Sequence, residues 1–380
     1  MSKPEWLKKQ WRPSGDMERV EELVRELGLN TVCREASCPN YCDCFSRGTA
    51  TFLILGANCT RECGFCGVTH AAPGPVDPGE KTRVAEAVKK LGLNYVVITS
   101  VTRDDLEDGG AAEFAGTVRE IRRLSPGTKI ETLIPDFQGS DAALDLVLEA
   151  APDVISHNIE TVKELYDKVR PQADYGRSLR LLRRVADHVR QEDGSSRTKG
   201  DGSSVPEKKG DGSSVPGSAL EDETGVSVPR HCEDGTDEAI HKKHIKCKSG
   251  LMVGVGEIDS QVRETIDDLR AAGCAFLTIG QYLRPAPANI PVEAYIEPEV
   301  FELWAEYARG VGFEFVASAP FVRSSYLAEE ALEFSRITQE EGSPQEQCGD
   351  TDSLRLQNPG GDTDSLRPQP GEEPTTDDII

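Results

Sequence analysis

Six cysteines near the amino end of the chain have the residue type and spacing that cofactor chemistry needs. Cys59, Cys63 and Cys66, called here the downstream triplet, are spaced C-x3-C-x2-C. These intervals let one loop place three thiolates around a small cluster, and soft thiolates favour iron–sulfur centres or zinc. Zinc sites are typically built from two C-x2-C pairs, which this spacing does not match. The downstream triplet therefore predicts a four-iron cluster with one iron left open.

An open iron of this kind has a specific use. The amino and carboxylate groups of S-adenosylmethionine can chelate it, and an electron from the cluster can then break the sulfonium carbon–sulfur bond. The product is a 5′-deoxyadenosyl radical, so the cofactor performs the difficult step while the protein positions it.

The second group, called here the upstream triplet, consists of Cys33, Cys38 and Cys44 with the spacing C-x4-C-x5-C. Cys42 lies inside the same stretch. The spacing favours Cys44 over Cys42 as the third member of this group, although arithmetic alone leaves a C-x3-C pair from Cys38 to Cys42 open.

These motifs carry a family resemblance. The downstream triplet follows a predicted strand at 51–55 and has Phe65 before its last cysteine, as in the radical S-adenosylmethionine superfamily. With the upstream triplet in CREASCPN, the chain resembles the lipoyl synthase family within it. Further matching blocks stand in the family's order: TFLILGANCTRECGFCGVTH, SVTRDDLEDGG, IETLIPDFQG, HNIETV, VRPQADYGRSL, KSGLMVGVGE, TIGQYLRP and VRSSY.

The resemblance implies an enzyme with a partial (β/α)6 barrel, two [4Fe–4S] clusters and S-adenosylmethionine. The implied reaction inserts sulfur at C6 and C8 of an octanoyl chain on a lysine of a lipoyl carrier protein. The downstream triplet would bind the cluster that cleaves S-adenosylmethionine, and the upstream triplet the auxiliary cluster that donates sulfur. Expected partners are the octanoylated E2 subunits of 2-oxoacid dehydrogenases, the glycine cleavage H protein, an electron donor and iron–sulfur carrier proteins.

The resemblance also assigns a fourth ligand to the auxiliary cluster. The second serine of RSSY, Ser325, would supply an oxygen, a harder donor than a thiolate that suits iron less. The alternative is that Ser325 caps the helix predicted after it. Two arginines, Arg284 and Arg323, are candidates for orienting the substrate, with a structural salt bridge as the alternative for each.

The cofactor-binding candidates lie after predicted strands. Arg103 and Asp104 follow the strand predicted at 95–100 and are expected near the methionine part of S-adenosylmethionine, unless they form a surface ion pair. Asn158 and Glu160 end the strand predicted at 153–160 and are expected to hydrogen-bond the cofactor.

Composition narrows the classes of function. The chain has 380 residues, a formal net charge of −23 and a hydrophobic fraction of 37%. The absence of a basic face excludes a nucleic-acid partner, and no apolar run reaches the ~20 residues of a membrane span. The amino-terminal stretch lacks the apolar core of a secretory signal. Eleven cysteines indicate metal chemistry in a reducing compartment, so a cytoplasmic location is expected.

Apolar strands alternate with amphipathic helices along most of the chain, which predicts a parallel sheet covered by helices. Residues 1–50 are expected to form a helix and the auxiliary-cluster loop, and 51–336 the barrel. Residues 191–243 and 337–380 are rich in Gly, Ser, Pro and acidic residues, with the repeats KGDGSSVP and GDTDSLR. They are predicted to be a disordered insertion and a disordered tail.

Two other functions share part of this pattern. A radical methylthiotransferase would carry the downstream triplet, but with a different upstream pattern and an added RNA- or protein-binding domain. A zinc-bound structural module would contain zinc without iron or sulfide.

Overall fold

The computed structural model describes residues 3–8, 15–35, 38, 40, 44, 50–192, 245–325 and 328–341. The account below concerns the described residues of the unit Met1–Thr338 and the helix that continues from it to residue 341. Cys42, the predicted insertion from residue 193 onward and the predicted tail from residue 342 onward lie outside the described residues.

The central element of the described residues is an eight-stranded sheet. The strands are β1 Asn30–Thr31, β2 Ala50–Ile54, β3 Asn58–Cys59, β4 Thr69–His70, β5 Tyr95–Ser100, β6 Lys129–Leu133, β7 Val154–Ser156, β8 Lys246–Val253, β9 Phe276–Gln281 and β10 Phe315–Ser318. The order in the large sheet is β1-β2-β5-β6-β7-β8-β9-β10. Every neighbouring pair in it is parallel except β1 and β2, which run antiparallel. Strands β3 and β4 form a separate two-stranded parallel sheet.

Helices connect the parallel strands, as the alternating pattern predicts. These connecting helices are α3 Glu80–Leu91, α4 Ala111–Leu124, α5 Asp141–Glu149, α6 Tyr166–Val169, α7 Tyr175–Glu192, α8 Asp259–Ala271 and α9 Pro298–Gly310. Helix α1 Gly15–Glu26 precedes β1, α2 Val32–Glu35 lies between β1 and β2, and α10 Ala328–Glu341 follows β10. The open, mostly parallel sheet with helical connections confirms the predicted α/β fold with a partial barrel.

Local sequence signals explain several helix ends. Gly92 takes a left-handed conformation with φ 63° and ends α3, a conformation that costs glycine no steric penalty. The Ser140 hydroxyl accepts a hydrogen bond from the Ala143 N–H and caps α5. Pro298 occupies the first turn of α9, where its missing N–H leaves no bond unmade. None of the described helices is long and apolar enough to cross a membrane.

The two faces of the sheet have different partners. Val96 and Ile98 belong to the main core, which also contains Phe114 of α4. Tyr95 and Val97 point to the other face because side chains alternate along a strand, and there they pack against Ala328 of α10. Helix α10 therefore covers part of this second face of the sheet, called here the inner face.

A buried ion pair also lies on this inner face. The Lys248 ammonium donates to both carboxylate oxygens of Glu131, at 3.0 and 2.9 Å. The Tyr95 hydroxyl donates to the same carboxylate at 2.7 Å. All three side chains are at most 2% exposed, so each charge keeps a hydrogen-bonded partner after it loses water.

The register aligns the carboxyl ends of four strands. Ile54 of β2 pairs with Ser100 of β5, and Leu133 of β6 pairs with Ser156 of β7. The loops that follow these strands therefore emerge at one edge of the sheet, where parallel α/β folds place their ligands.

Candidate functional site

The loop of the downstream triplet leaves the carboxyl end of β2 through a sharp turn. Leu55 and Gly56 have φ values of 69° and 91°, and the Leu55 N–H donates to the Glu80 carboxylate at 2.7 Å. Leu55 is an uncommon residue for a left-handed conformation. The buried Glu80 therefore stabilises the turn that aims the cysteine loop along the carboxyl edge.

Hydrogen bonds attach this loop to the neighbouring strand connection. The Thr102 N–H donates to the Cys59 Sγ at 3.3 Å, and the Thr60 N–H and hydroxyl both donate to the Thr102 carbonyl. The Thr60 hydroxyl in turn accepts from the Asp104 N–H at 3.1 Å. The segment after β5 thus fixes one cysteine of the triplet.

Arg61, inside the downstream triplet, is a structural anchor. Its guanidinium is bidentate to Asp104, at 2.7 and 2.9 Å, and contacts Asp136 at 2.6 Å. Burial would raise the pKa of Asp136, but hydrogen bonding and charge from Arg61 outweigh it and lower that pKa to about 2. Sequence reasoning did not select Arg61, because its partners come from two other loops.

Burial has the largest effect on the pKa values of Cys63 and Cys66. It raises the pKa of Cys63, with the Arg170 guanidinium opposing the shift. It raises the pKa of Cys66 to about 12, helped by the neighbouring Cys63 and Cys59 thiols. Thiolates crowded at this depth need a compensating cation, which an iron–sulfur cluster would provide.

Two buried polar atoms beside the triplet have no hydrogen-bond partner among the described residues, Asn158 Oδ1 and Arg170 Nε. Arg170 is 9% exposed, and one of its terminal nitrogens donates to the Asn158 carbonyl at 2.9 Å. Buried polar groups are normally paired, so the ligand that fits here offers an acceptor to the Arg170 Nε–H and a donor to Asn158 Oδ1. Arg170 is a residue that the sequence analysis missed, since only the fold brings it next to Cys63.

The other predicted contacts to S-adenosylmethionine occupy two places. The Asn158 amide donates to Glu160 at 3.2 Å, and Glu160 is half-buried with a left-handed φ of 68°. Arg103 is buried and bidentate to Asp105, at 2.8 Å for both bonds, while Asp104 holds Arg61. Asn158 and Glu160 thus lie beside the downstream triplet, whereas Arg103 and Asp104 are engaged in ion pairs. The binding roles of all four remain predictions.

The upstream triplet lies at the start of the sheet. Cys33 is buried in α2, and burial together with the nearby Cys38 and Cys44 thiols raises the pKa of Cys33. The Cys38 N–H donates to the Cys33 carbonyl at 3.1 Å, and the Cys44 N–H donates to the Asn40 carbonyl at 3.0 Å. Cys33, Cys38 and Cys44 therefore lie near one another, and their role as ligands of one cluster remains a prediction.

The turn at 319–325 approaches the upstream triplet from the far end of the chain. The Asn40 amide donates to the Phe321 carbonyl at 2.6 Å. Burial lowers the pKa of Arg323, and the nearby Cys38 offsets part of this shift. The Arg323 guanidinium donates to the Val322 carbonyl at 2.6 Å. This turn ends at Ser325, whose role as a cluster ligand remains a prediction.

Arg284 lies in the connection after β9, on the side of the downstream triplet. Its guanidinium donates to the carbonyls of Asn289, at 2.8 Å, and Pro287. Arg284 and Arg323 are thus both bonded to backbone carbonyls of their own loops, and their roles toward a substrate stay predictions.

All described cysteines are free thiols. No three His, Cys, Asp or Glu side chains in the described part of the chain converge closely enough to hold a single metal ion. A four-iron cluster places each thiolate on a separate iron, so its cysteines need not converge on one point.

Comparison with known proteins decides the family. A model described as the Radical SAM superfamily matches residues 53–196. Lipoyl synthase of Alkaliphilus metalliredigens is 46% identical over 87% of this chain and 96% of its own length. Lipoyl synthase of Caldicellulosiruptor saccharolyticus is 47% identical over 86% of this chain and 96% of its own. The chain belongs to the lipoyl synthase family.

Membership in the lipoyl synthase family confirms the enzyme class expected from the sequence. The chain is a sulfur-inserting radical S-adenosylmethionine enzyme that uses two [4Fe–4S] clusters and acts on lipoyl-domain proteins. Among solved structures, methylornithine synthase (PylB) matches with a TM-score of 0.43 and 12% identity, over 84% of this chain and 92% of that one. The family assignment depends on the sequence relatives.

Proposed function

We propose that the two triplets divide the lipoyl synthase reaction between them. The downstream triplet would hold the cluster that binds S-adenosylmethionine, and the upstream triplet, with Ser325, the auxiliary cluster that donates sulfur to C6 and C8 of an octanoyl-lysine. The main support is the pair of unpartnered buried atoms, Asn158 Oδ1 and Arg170 Nε, beside the downstream triplet. They mark a polar binding site at this triplet.

The bound cofactors supply reductive cleavage of S-adenosylmethionine to a carbon radical that removes hydrogen from an unactivated C–H bond. The chain's own residues do the rest. Arg170 presents a permanent positive charge, since guanidinium does not deprotonate in proteins, and it would pair with the carboxylate of S-adenosylmethionine. Asn158 and Glu160 offer acceptor oxygens for its hydroxyl and amino groups.

Ser325 would complete the auxiliary site. Asn40 ties the turn at 319–325 to the upstream triplet, and the Arg323 charge lies near Cys38. A serine oxygen binds iron less firmly than a thiolate, which suits a cluster that must release its sulfur. Arg103 and Asp104 would act through the loop, by holding the turn at Leu55 and the Arg61 guanidinium.

The finer partners are also part of this proposal. The substrates would be octanoylated E2 subunits and the glycine cleavage H protein, and an electron donor and iron–sulfur carrier proteins would serve the clusters. Free thiols and oxygen-sensitive clusters suit a reducing compartment, so we place the enzyme in the cytoplasm, without nucleic-acid or membrane partners.

The test combines metal analysis with product analysis. After anaerobic reconstitution the chain should contain iron and sulfide and convert an octanoylated carrier protein to the lipoyl form, given S-adenosylmethionine and a reductant. Zinc alone, without visible absorbance, would contradict the proposal.

A second measurement tests the residues that bind S-adenosylmethionine. Arg170→Gln should weaken its binding to the reconstituted chain by about tenfold or more, the scale of one charge-assisted hydrogen bond. The exposed Arg309 provides a matched control, and Arg309→Gln should leave the dissociation constant unchanged. Equal dissociation constants in all three proteins would exclude Arg170 from the site.

A further inference from the structure

The connection between β9 and α9 is bonded directly to the loop of the downstream triplet. The Ile290 N–H donates to the Gly64 carbonyl at 3.0 Å, and the Asn289 side-chain amide donates to the Cys66 carbonyl at 2.8 Å. More than two hundred residues separate these partners in the chain. The carbonyls of the cysteine loop are thus fixed by a segment that carries none of its cysteines.

Gly64 shows how closely the two segments approach. A Cβ at this position would lie 2.7 Å from the Ile290 Cγ2 and 3.3 Å from the Lys168 carbonyl oxygen. The Gly64 N–H also donates to the Val169 carbonyl at 2.9 Å. Residue 64 is therefore enclosed on two sides, which leaves no room for a side chain between Cys63 and Phe65.

Asn289 is itself held rigidly. Its side-chain oxygen accepts from the Ala286 N–H at 3.1 Å, and its own N–H donates to the Ala286 carbonyl at 3.0 Å. Arg284 donates to the Asn289 carbonyl at 2.8 Å. With its oxygen used on its own turn, the Asn289 amide nitrogen is oriented toward the Cys66 carbonyl.

We propose that Asn289 is a positioning residue for the cluster bound by the downstream triplet, and that Arg284 supports it through the hydrogen bond to the Asn289 carbonyl. The inference rests on the proposed function, because it takes Cys66 as a cluster ligand. Asn289 would fix the backbone of Cys66, and so the direction in which its thiolate meets the iron. Arg284 then has a role in the cluster loop rather than the contact to substrate expected from the sequence.

Asn289→Asp tests the inference, because it changes one bond. Aspartate keeps the oxygen that accepts from the Ala286 N–H, so the turn persists, but it turns the donor toward the Cys66 carbonyl into an acceptor. The matched control is Asn94→Asp, the same change at an exposed residue before β5, at the opposite edge of the sheet. Both are made in the full chain carrying Cys33→Ala, Cys38→Ala and Cys44→Ala, so that iron reports on the downstream triplet alone.

The readouts are the rate at which a chelator removes iron and the electron paramagnetic resonance spectrum of the reduced cluster. Asn289→Asp should lose iron about five- to tenfold faster, the factor that one hydrogen bond produces, with an altered spectrum. Arg284→Gln should give a smaller change in the same direction, and Asn94→Asp none. The iron-free Asn289→Asp protein should melt at most a few degrees below Asn94→Asp, the scale of one lost hydrogen bond in a chain of this size, which separates positioning from a failure to fold.

The outcomes separate this inference from the proposed function. One outcome is that Asn289→Asp keeps the parent protein's rate of iron release and its spectrum, while Cys66→Ala loses its iron. This result would overturn the positioning role alone. A lower melting temperature of iron-free Asn289→Asp, with an unchanged spectrum, would also overturn it in favour of a purely structural role. Full iron content in Cys66→Ala would overturn the proposed function and this inference with it.

Discussion

The two cysteine triplets have the same ligand chemistry, but the fold holds them in different ways. The downstream triplet lies in a loop that forms backbone hydrogen bonds with three separate connections, donating to the Thr102 and Val169 carbonyls and accepting from the Ile290 N–H. The upstream triplet begins in the short helix α2. A side-chain hydrogen bond from Asn40 to the Phe321 carbonyl connects this stretch to the turn at 319–325.

The difference fits the roles proposed above for the two clusters. The radical-generating cluster would have to survive every turnover, and the loop proposed to hold it is bonded to several strand connections at once. The auxiliary cluster would give up its sulfur and have to be rebuilt. The loop proposed to hold it is connected through Asn40 to the turn at 319–325, which carries Ser325.

Replacing one cysteine of each triplet by alanine should give the largest difference between the two sites. Cys63→Ala should abolish 5′-deoxyadenosine formation and sulfur insertion, because the cluster that generates the radical is lost. Cys33→Ala should keep 5′-deoxyadenosine formation and lose the lipoyl product. Mass spectrometry of both products in one reaction checks this, and a lipoyl product from Cys33→Ala would refute the division of roles.

Ser325→Ala sharpens the comparison within the auxiliary site. As a ligand, Ser325 should be dispensable for 5′-deoxyadenosine formation but needed for sulfur insertion, so lipoyl formation should fall sharply. As a helix cap, it would contribute only ~1 kcal/mol of stability. The assay measures both products and the urea unfolding midpoint, and normal lipoyl formation would favour the cap.

Arg61→Ala tests how firmly the downstream loop is anchored. The change leaves the buried Asp136 carboxylate paired with Arg177, 3.1 Å away and partly exposed. We therefore expect a loss of about 2–3 kcal/mol, less than the roughly 3–5 kcal/mol of a buried charge left without a partner. Urea unfolding of the iron-free chain at neutral pH should show this loss. The exposed Arg309→Ala serves as a control, and an equal effect of both substitutions would contradict the anchoring role.

The same ion pair predicts a pH dependence. The pKa of Asp136 is lowered from 3.8 to about 2, so its contribution to stability is complete above pH ~4 and is lost as the pH falls toward 2. The shift corresponds to roughly 2 kcal/mol. Unfolding free energies of the iron-free wild type and Asp136→Asn, measured from pH 5 to pH 2, should converge at the acid end. A constant difference would exclude this linkage.

The smallest effect is expected from residues 193–242. Helix α7 ends at Glu192, and β8 begins at Lys246. Both elements pack in the main core through Leu182 and Cys247. A short Gly/Ser loop in place of 193–242 should change stability by less than about 1 kcal/mol, since loop closure depends weakly on length. Loss of both iron binding and solubility would show that this segment is structural.

The sequence by itself determined the alternation of strands and helices and the cysteine motifs, because both are local. Strand and helix periodicities can be read within a dozen residues. They predict a strand at 95–100 and a helix at 259–271, which are the bounds observed for Tyr95–Ser100 and Asp259–Ala271. The short strand β1 and the β3–β4 pair were missed, since two-residue strands carry no periodicity.

Only the tertiary structure decided which side chains support the cysteine loops. Arg61 meets its partners 43 and 75 residues away, Asn289 meets Cys66 across 223 residues, and Asn40 meets Phe321 across 281. No spacing rule relates such pairs, because their separation depends on how the sheet orders its strands. The spacing of the cysteines is a local property of each loop, whereas contacts from distant parts of the chain determine how firmly that loop is held.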